Sequence, residues 1–447
     1  MTEITAIVLA AGKGSRMKSA KPKVLHEIAH LAMLGHVLDV AGKLGAHRTV
    51  LVAAPAMTGV EAYARTRAHN LDVAIQTQPL GTADAVKAAL PFVPGKGVVL
   101  ILFGDTPLLR EETLQALVRT CAEEADIAVL GFEAADPTGY GRLVLDWEER
   151  LTHIVEHKDA REDERGIRLC NGGAMAVKAE HLAALIGEVG NDNAAGEFYL
   201  PDIVAIAHKH DLKALVVRGL EEEVLGVNSR IDLAEAEAVF QRRARNKAME
   251  EGVTLLDPQS VYFATDTRLG RDVVIGQNVV FGPGVTIADN VTIRPFSHIE
   301  GASVAAGAIV GPFARLRPGA EIGADAHIGN FVEIKKAVVE TGAKINHLSY
   351  IGDARVGAGA NIGAGTITCN YDGFNKHLTD IGAGAFIGSN SALVAPVKIG
   401  DGAYIGSGSV ITRDVTPDAL AVARGKQIER AGWASAFRAK NEKKGGE

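Results

Sequence analysis

From Leu269 onward an aliphatic or aromatic residue returns at every sixth position: Leu269, Ile275, Phe281, Ile287, Ile293 and Ile299. The beat slips by one residue and resumes as Val304, Val310, Leu316, Ile322, Ile328 and Ile334. Further slips give Val339, Ile345 and Ile351, then Val356 and Ile362. After a gap it returns as Ile381, Ile387, Leu393, Ile399, Ile405 and Ile411. Glycine often follows the beat, as in IGQN, IGAD, IGAG, IGSN and IGSG. A period of six is neither the 3.6 of a helix nor the 2 of a strand. It suits a short strand and a tight turn, repeated, with one apolar residue per strand pointing inward and small residues at the corners. Stacked turns of this kind build a parallel β-helix around a continuous aliphatic core. Residues 366–380 (TITCNYDGFNKHLTD) lose the beat. That predicts a loop ejected from the coil, and its Asn, Tyr, Asp and Lys residues make it a candidate site.

Residues 1–228 carry a different pattern. Continuous apolar runs at Ile4–Ala10, Val50–Ala54, Val73–Gln76 and Val98–Phe103 read as buried parallel strands. Helical stretches lie between them, including Ala83–Leu90 and Glu111–Glu124. The alternation predicts an α/β fold with a mainly parallel sheet, whose ligands sit beyond the carboxyl ends of the strands. Residues 229–250 read as one long charged helix, capped by Ser229 with Asp232 at the capping-box position and ended by Gly252. The expected organisation is a first domain of 1–228, a helical linker of 229–250 and a second domain of 251–447. The Lys-, Gly- and Glu-rich stretch after about Arg438 predicts a disordered tail.

Composition narrows the chemistry. At 447 residues, 47% hydrophobic and 23% charged, the chain reads as soluble and multidomain. A net charge of -7 with no basic stripe argues against general nucleic-acid binding. An anionic ligand must therefore be held by a few placed cations. Cys121, Cys170 and Cys369 lie far apart, which fits a reducing compartment and gives neither a disulfide framework nor a zinc site. The apolar start breaks at Gly12-Lys13-Gly14, lacks a basic leader, and no apolar run is long enough to span a membrane. Cytoplasm, with no membrane partner, is the expectation.

Those cations appear in a specific string. The first strand runs into Leu9-Ala10-Ala11-Gly12-Lys13-Gly14-Ser15-Arg16-Met17, followed by Pro22-Lys23. The glycines allow close backbone approach and exposed amides there can cradle phosphate. The string is neither a dinucleotide fingerprint nor a Walker A loop. Gln76 precedes Leu80-Gly81-Thr82, and Phe103-Gly104-Asp105 ends another strand. Alone, Asp105 would read as a helix N-cap; beside the other motifs it reads as a ligand for Mg²⁺, which prefers oxygen. Gly139-Tyr140-Gly141-Arg142, Glu156-His157-Lys158, Asn171-Gly172-Gly173 and Gly226-Val227-Asn228 follow. The set resembles the sugar-1-phosphate nucleotidyltransferases, whose domain is Rossmann-like.

The six-residue beat resembles the hexapeptide-repeat family of left-handed parallel β-helices, many of them acyltransferases. Four further strings stand on it. They are Gly311-Pro312-Phe313-Ala314-Arg315-Leu316-Arg317-Pro318-Gly319, Asn330-Phe331-Val332-Glu333-Ile334-Lys335-Lys336, His347-Leu348-Ser349-Tyr350-Ile351-Gly352-Asp353, and the run Asn361 to Gly373. Over essentially the whole chain, the combination resembles the bacterial bifunctional N-acetylglucosamine-1-phosphate uridylyltransferases/glucosamine-1-phosphate acetyltransferases.

That resemblance implies roles residue by residue. It makes His347 the general base of acetyl transfer and Asn370 the group that orients the amine. Arg317 and Lys335 would hold the sugar phosphate, and Tyr350, Asn361 and Asn370 the sugar. Main-chain amides near Ala364 would serve as the oxyanion hole. Ser389, Ser407 and Arg424 would contact acetyl-CoA, with Tyr371 extending the pocket. For uridylyl transfer it makes Asp105 and Asn228 the Mg²⁺ ligands, and Arg16 and Lys23 the cations on the triphosphate. Leu9, Ala10, Ala11, Gly12, Gln76, Gly81, Thr82, Phe103 and Gly104 would line the nucleotide pocket, and Gly141, Glu156 and Asn171 would contact N-acetylglucosamine. The implied substrates are UTP, acetyl-CoA, glucosamine-1-phosphate and N-acetylglucosamine-1-phosphate, the implied assembly a homotrimer, and the implied role the supply of cell-wall precursor.

Three departures from the family pattern stand out: Phe103 for a usual Tyr, Ser15 for a usual Thr, and Gly172 for a usual Thr, the last expected to loosen the sugar pocket. None removes a charge or a metal ligand, so both activities are expected. Two other readings compete. A nucleotidyltransferase using dTTP, GTP or ATP with a purely structural β-helix would need no His347 constellation. A scaffold like the regulatory subunits of a eukaryotic translation-initiation exchange factor would need neither Arg16, Lys23 and Asp105 nor His347, Arg317 and Lys335.

Overall fold

The computed structural model describes residues 2–442. The chain forms two compact units, one ending at Ala244 and the other beginning at Arg245, so the division falls inside the helix Arg230–Glu250.

In the first unit the apolar runs become strands within a residue or two of the expected limits. They are β1 (Ile4–Leu9), β2 (Arg48–Ala53), β3 (Leu71–Ile75) and β4 (Val98–Phe103). Five more follow: β5 (Ile127–Glu133), β6 (Arg142–Leu145), β7 (Leu151–Val155), β8 (Leu169–Lys178) and β9 (Ala214–Arg218). The main order is β9-β5-β8-β4-β1-β2-β3. All neighbours are parallel except β8, which runs antiparallel between β4 and β5 and carries the β6/β7 hairpin. Alternate residues of β1 explain why its whole run is apolar. Ala6 and Val8 join a core with Leu34, Val37, Leu114 and Leu117, while Ile7 and Leu9 join another with Val86, Leu182 and Val204. Both faces are dry, so no position along the strand is left for a polar residue.

The helix Arg230–Glu250 starts in the expected capping box. The Ser229 hydroxyl accepts from the Asp232 amide at 3.2 Å, and the Asp232 carboxylate accepts from the Ser229 amide at 2.9 Å. Asp232 also takes the Asn228 amide at 2.8 Å, fixing the backbone of a predicted metal ligand. Ala236 and Val239 of this helix pack with Ile28, Met33, Leu108 and Val227.

The second unit is a left-handed parallel β-helix of short strands. One face stacks Val274–Ile275, Thr292–Ile293, Ile309–Val310, His327–Asn330, Lys344–His347, Asn361–Ile362, Phe386–Ile387 and Tyr404–Ile405 in parallel register. Every residue of the six-residue beat from Ile275 to Ile411 is buried. The beat also continues where it was expected to stop. Ile367–Cys369 is a strand paired with Tyr350–Val356, and Thr368 occupies the inward position with no exposure. Its hydroxyl accepts from the Gly352 amide at 2.8 Å and donates to the Gly352 carbonyl at 3.1 Å. A threonine with both hydrogen bonds satisfied thus substitutes for an aliphatic residue, and the ejected segment shrinks from residues 366–380 to residues 370–378. The tail expectation needs the same kind of correction: Trp433–Glu442 is helical, so residues 439–442 are ordered, while 443–447 lie outside the described residues. No helix among the described residues is long and apolar enough to cross a membrane.

Candidate active sites

At the carboxyl edge of the first sheet, residues far apart in sequence meet. Beyond β1 the chain turns at Gly14, whose φ is +60°. A Cβ there would lie 2.5 Å from Lys23 Cβ, so the turn requires glycine twice over, for its backbone and for the close approach of Lys23. Lys23 places its ammonium on the Asp105 carboxylate and 3.1 Å from the Asn228 side-chain oxygen. The loop bearing Asn228 is tied to Asp105 by the Val227 amide, which donates to the Asp105 carbonyl at 2.9 Å. Two oxygens, one ionised and one neutral, therefore converge on one cation position. That donor set fits Mg²⁺, which takes few protein oxygens and completes its shell with water and substrate phosphate. Arg16 is exposed on the same loop, near enough to Asp232 to help hold that carboxyl below its usual range. Burial, which pushes the Asp232 carboxyl up, is outweighed there by the Asn228 and Ser229 hydrogen bonds and by Arg16.

Gln76, Gly81 and Thr82 form a second group. The Gln76 amide donates to the Gly81 carbonyl and to Asp84, both at 2.9 Å, so its donors are spent locally. Gly81 has φ +122°, and a Cβ there would strike the Phe198 carbonyl at 2.4 Å. The Thr82 hydroxyl accepts from the Leu200 amide at 2.9 Å, which gives it a structural task. A third group brings Gly141, Glu156 and Asn171 together: a Cβ at Gly141 would lie 3.2 Å from Glu156 Oε1 and 3.5 Å from Asn171 Cβ. Burial, reinforced by Asp159 and Asp202, pushes the Glu156 carboxyl up. The Gly172 departure does not open this pocket. A Cβ at 172 would meet Val224 at 2.7 Å and the Leu130 carbonyl at 3.0 Å, so core atoms already fill the space. The Phe103 ring lies against Gly173, about where that residue's Cβ would touch it, at 3.4 Å.

On the β-helix the site is built by register. The carbonyls of Asn330, His347, Ala364 and Ser389 accept, in turn, from the amides of Leu348, Gly365, Asn390 and Gly408. His347, Ala364 and Ser389 therefore stand in one column, and Ser407 follows, its carbonyl accepting from Arg424 at 2.8 Å. Because the Gly365 amide is spent on the His347 carbonyl, the Ala364 amide is the better candidate oxyanion donor. Asn361 lies on the same face, directly above Lys344 and below Phe386. On the neighbouring face Arg317, then Glu333 and Lys335 together, then Tyr350 occupy three successive coils. Arg317 donates to Glu333 at 2.8 Å, a contact that raises the guanidinium's proton affinity.

The ejected hairpin supplies what register cannot. Asn370 is nearly buried and donates to Asp353, which leaves its side-chain oxygen for a ligand. Asp372 ties the hairpin by accepting from the Phe374 and Asn375 amides and from His377 at 2.6–2.8 Å. Tyr371 is exposed beside it and pairs with Lys376 across the hairpin. Lys376 is the lysine that helped mark this loop as a candidate site, though no contact was expected of it. It approaches Lys335 closely enough to depress that ammonium's proton affinity, which places a second cation where one was expected. A Lys in a loop that leaves the repeat carries no register signal, so only its neighbourhood to Asn370 and Tyr371 hinted at it.

Known proteins match both halves. Residues 6–168 match the MobA-like NTP transferase domain, and residues 266–301 and 379–413 match the bacterial transferase hexapeptide (six repeats). The bifunctional protein GlmU of Parvibaculum lavamentivorans is 64% identical over 440 residues, 98% of this chain and 97% of that protein. The one from Rhizorhabdus wittichii is 61% identical over 438 residues, 97% and 96% of the two chains. The one from Rhodospirillum rubrum is 58% identical over 442 residues, 98% of each.

Proposed function

We propose the following mechanism from the premise that the chain belongs to the bifunctional GlmU family, whose members join uridylyl transfer to acetyl transfer. The β-helix acetylates glucosamine-1-phosphate from acetyl-CoA. The α/β unit then joins the product to UTP, giving UDP-N-acetylglucosamine and pyrophosphate. The observation that supports this reading is the meeting of Lys23, Asp105 and Asn228 in the first unit, together with a β-helix that carries His347 in the column of Ala364 and Ser389 and Lys335 on the neighbouring face.

In acetyl transfer the sugar amine attacks the thioester carbonyl carbon and CoA leaves as the thiolate. His347 takes the amine proton, the task for which an imidazole is suited near neutral pH. Asn370, held by Asp353, presents its oxygen to the amine. The Ala364 amide faces the developing oxyanion, where a fixed donor is worth more than in water. Arg317, Lys335 and Lys376 hold the sugar phosphate, Tyr350 and Asn361 the sugar, and Tyr371, Ser389, Ser407 and Arg424 the CoA.

In uridylyl transfer a phosphate oxygen of the sugar attacks the α-phosphorus of UTP, and the α–β bridge breaks to release pyrophosphate. Arg16 and Lys23 spread the charge of the transition state, and alignment by the pocket supplies most of the rest. Mg²⁺, when bound by Asp105 and Asn228, would neutralise phosphate charge. The Leu9–Gly12 backbone, Gln76, Gly81, Thr82, Phe103 and Gly104 bound the nucleotide. Gly141, Glu156 and Asn171 bound the sugar.

The exposed column Phe296, Phe313, Phe331 and Leu348, whose three rings stack at centroid distances of 4.9 and 5.2 Å, supports assembly of β-helices into a homotrimer. A cytoplasmic enzyme with domains of 1–228 and 251–447 about a linking helix completes the proposal. The test incubates purified protein with glucosamine-1-phosphate, acetyl-CoA, UTP and Mg²⁺, omitting each in turn, and follows CoA thiol, pyrophosphate and UDP-N-acetylglucosamine. Thiol release that needs acetyl-CoA, and pyrophosphate release that needs the acetylated sugar, are expected. Pyrophosphate only from supplied N-acetylglucosamine-1-phosphate would reduce the β-helix to a structural role.

A further inference from the structure

We propose that Asn330 is a positioning residue for acetyl transfer: its side-chain oxygen fixes the His347 imidazole in the one tautomer able to accept a proton through Nε2. The inference rests on the reading of His347 as the general base and deepens it.

Asn330 and His347 are direct partners in parallel register on successive coils. Each is the last residue of its strand before the same corner, and the residues that follow, Phe331 and Leu348, both have left-handed backbones, with φ +57° and +51°. The backbone of His347 is pinned from two sides. Its carbonyl accepts from the Gly365 amide at 3.2 Å and from the Ser349 hydroxyl at 2.9 Å. The ring, by contrast, is exposed on the single chain. Among the described residues its one hydrogen bond is from Nδ1 to the Asn330 side-chain oxygen, at 2.7 Å.

An amide oxygen only accepts, so in this contact Nδ1 carries the hydrogen. A neutral imidazole has one protonated and one bare nitrogen, so the lone pair then lies on Nε2. In water a neutral histidine side chain favours the opposite arrangement, with the hydrogen on Nε2, which cannot act as a base through that atom. Asn330 therefore does two things at once: it selects the minority tautomer and limits rotation of an exposed ring. The carboxylate that orients the ring in other catalytic histidine arrangements is absent from this contact, where a neutral amide takes its place.

The test compares Asn330→Ala, Asn330→Asp and His347→Ala in the full chain, with uridylyl transfer as the internal measure of folding. Asn330→Ala should lower kcat for acetyl transfer by about 10- to 100-fold, part of the roughly 10²–10⁴-fold a general base contributes, with KM values changed less than about threefold. Asn330→Asp, which keeps an acceptor in place, should recover most of that loss. The decisive readout is the ¹⁵N spectrum of the His347 ring, assigned by its absence in His347→Ala: Nδ1–H in the parent and in Asn330→Asp, Nε2–H or a mixture in Asn330→Ala. An Nε2–H signal in the parent, or an unchanged tautomer and kcat in Asn330→Ala, overturns the inference. If instead His347→Ala retains acetyl transfer, the base assignment itself fails, whatever Asn330 does.

Discussion

The two units gather their active residues in opposite ways. In the β-helix, sequence order is spatial order: His347, Ala364 and Ser389 stack one coil above another because the backbone repeats. In the α/β unit, Lys23 meets an Asp105 82 residues away and an Asn228 205 residues away, because the strand order brings three loops to one edge. A solenoid site is thus tuned by local change, coil by coil, whereas the sheet site depends on the whole topology.

The largest effect should come from separating the two chemistries at the proposed metal site. Asp105→Ala is expected to lower uridylyl transfer by about 10³-fold or more, the scale of losing a group that carries transition-state charge. Acetyl transfer, read from CoA thiol release, should stay within twofold. Retained Mg²⁺-dependent pyrophosphate release would break the comparison at its first step. The mirror experiment is His347→Ala, expected to cost roughly 10²–10⁴-fold in acetyl transfer and nothing in uridylyl transfer. An unchanged rate of acetylation would remove the general base from the column.

How far each unit was legible follows from the same contrast. The six-residue beat maps directly onto buried positions, so the β-helix could be read almost coil by coil. It failed at Thr368, since an aliphatic beat does not register a threonine whose hydroxyl is satisfied by Gly352. It fell short again at Lys376, which the loop's composition marked but whose approach to Lys335 is set by a hairpin outside the repeat. In the first unit four parallel strands were visible, but β8, which inserts antiparallel between β4 and β5, was not among them. The meeting of Lys23, Asp105 and Asn228 was reachable only through resemblance to a family.

Those two failures sharpen the comparison at smaller magnitudes. Thr368→Val keeps the shape but leaves the buried Gly352 amide without its acceptor, which should destabilise the β-helix by about 1–3 kcal/mol in denaturant unfolding. No loss would mean that the hydroxyl is only tolerated there. Lys376→Ala removes a cation from the proposed sugar-phosphate cradle and should raise the KM for glucosamine-1-phosphate about fivefold to tenfold, with kcat little changed. An unchanged KM would show that Lys376 approaches Lys335 without sharing its ligand.

The smallest expected effect separates the units by sign rather than size. In the hairpin, the Asn375 amide, His377 and the Phe374 amide hold the Asp372 carboxyl well below the usual carboxylate range. Its folded value is below its unfolded value, so its contribution is present above about pH 4 and is lost only as pH falls through the depressed folded value. In the α/β unit, burial first, and then Asp159 and Asp202, push Glu156 the other way. Its contribution is full below the unfolded glutamate value of about 4.3 and is lost as pH rises towards the raised folded value. Amide-exchange protection at Phe374 and Asn375 should therefore hold from pH 7 down to about pH 4 in the parent and fall in Asp372→Asn throughout. Glu156→Gln should gain stability relative to the parent as pH rises from about 4 towards 7. Equal pH dependence in parent and Glu156→Gln would mean that Arg142, which already draws the Glu156 carboxyl down, offsets its burial, and the sugar pocket would then have to be redrawn around that pair.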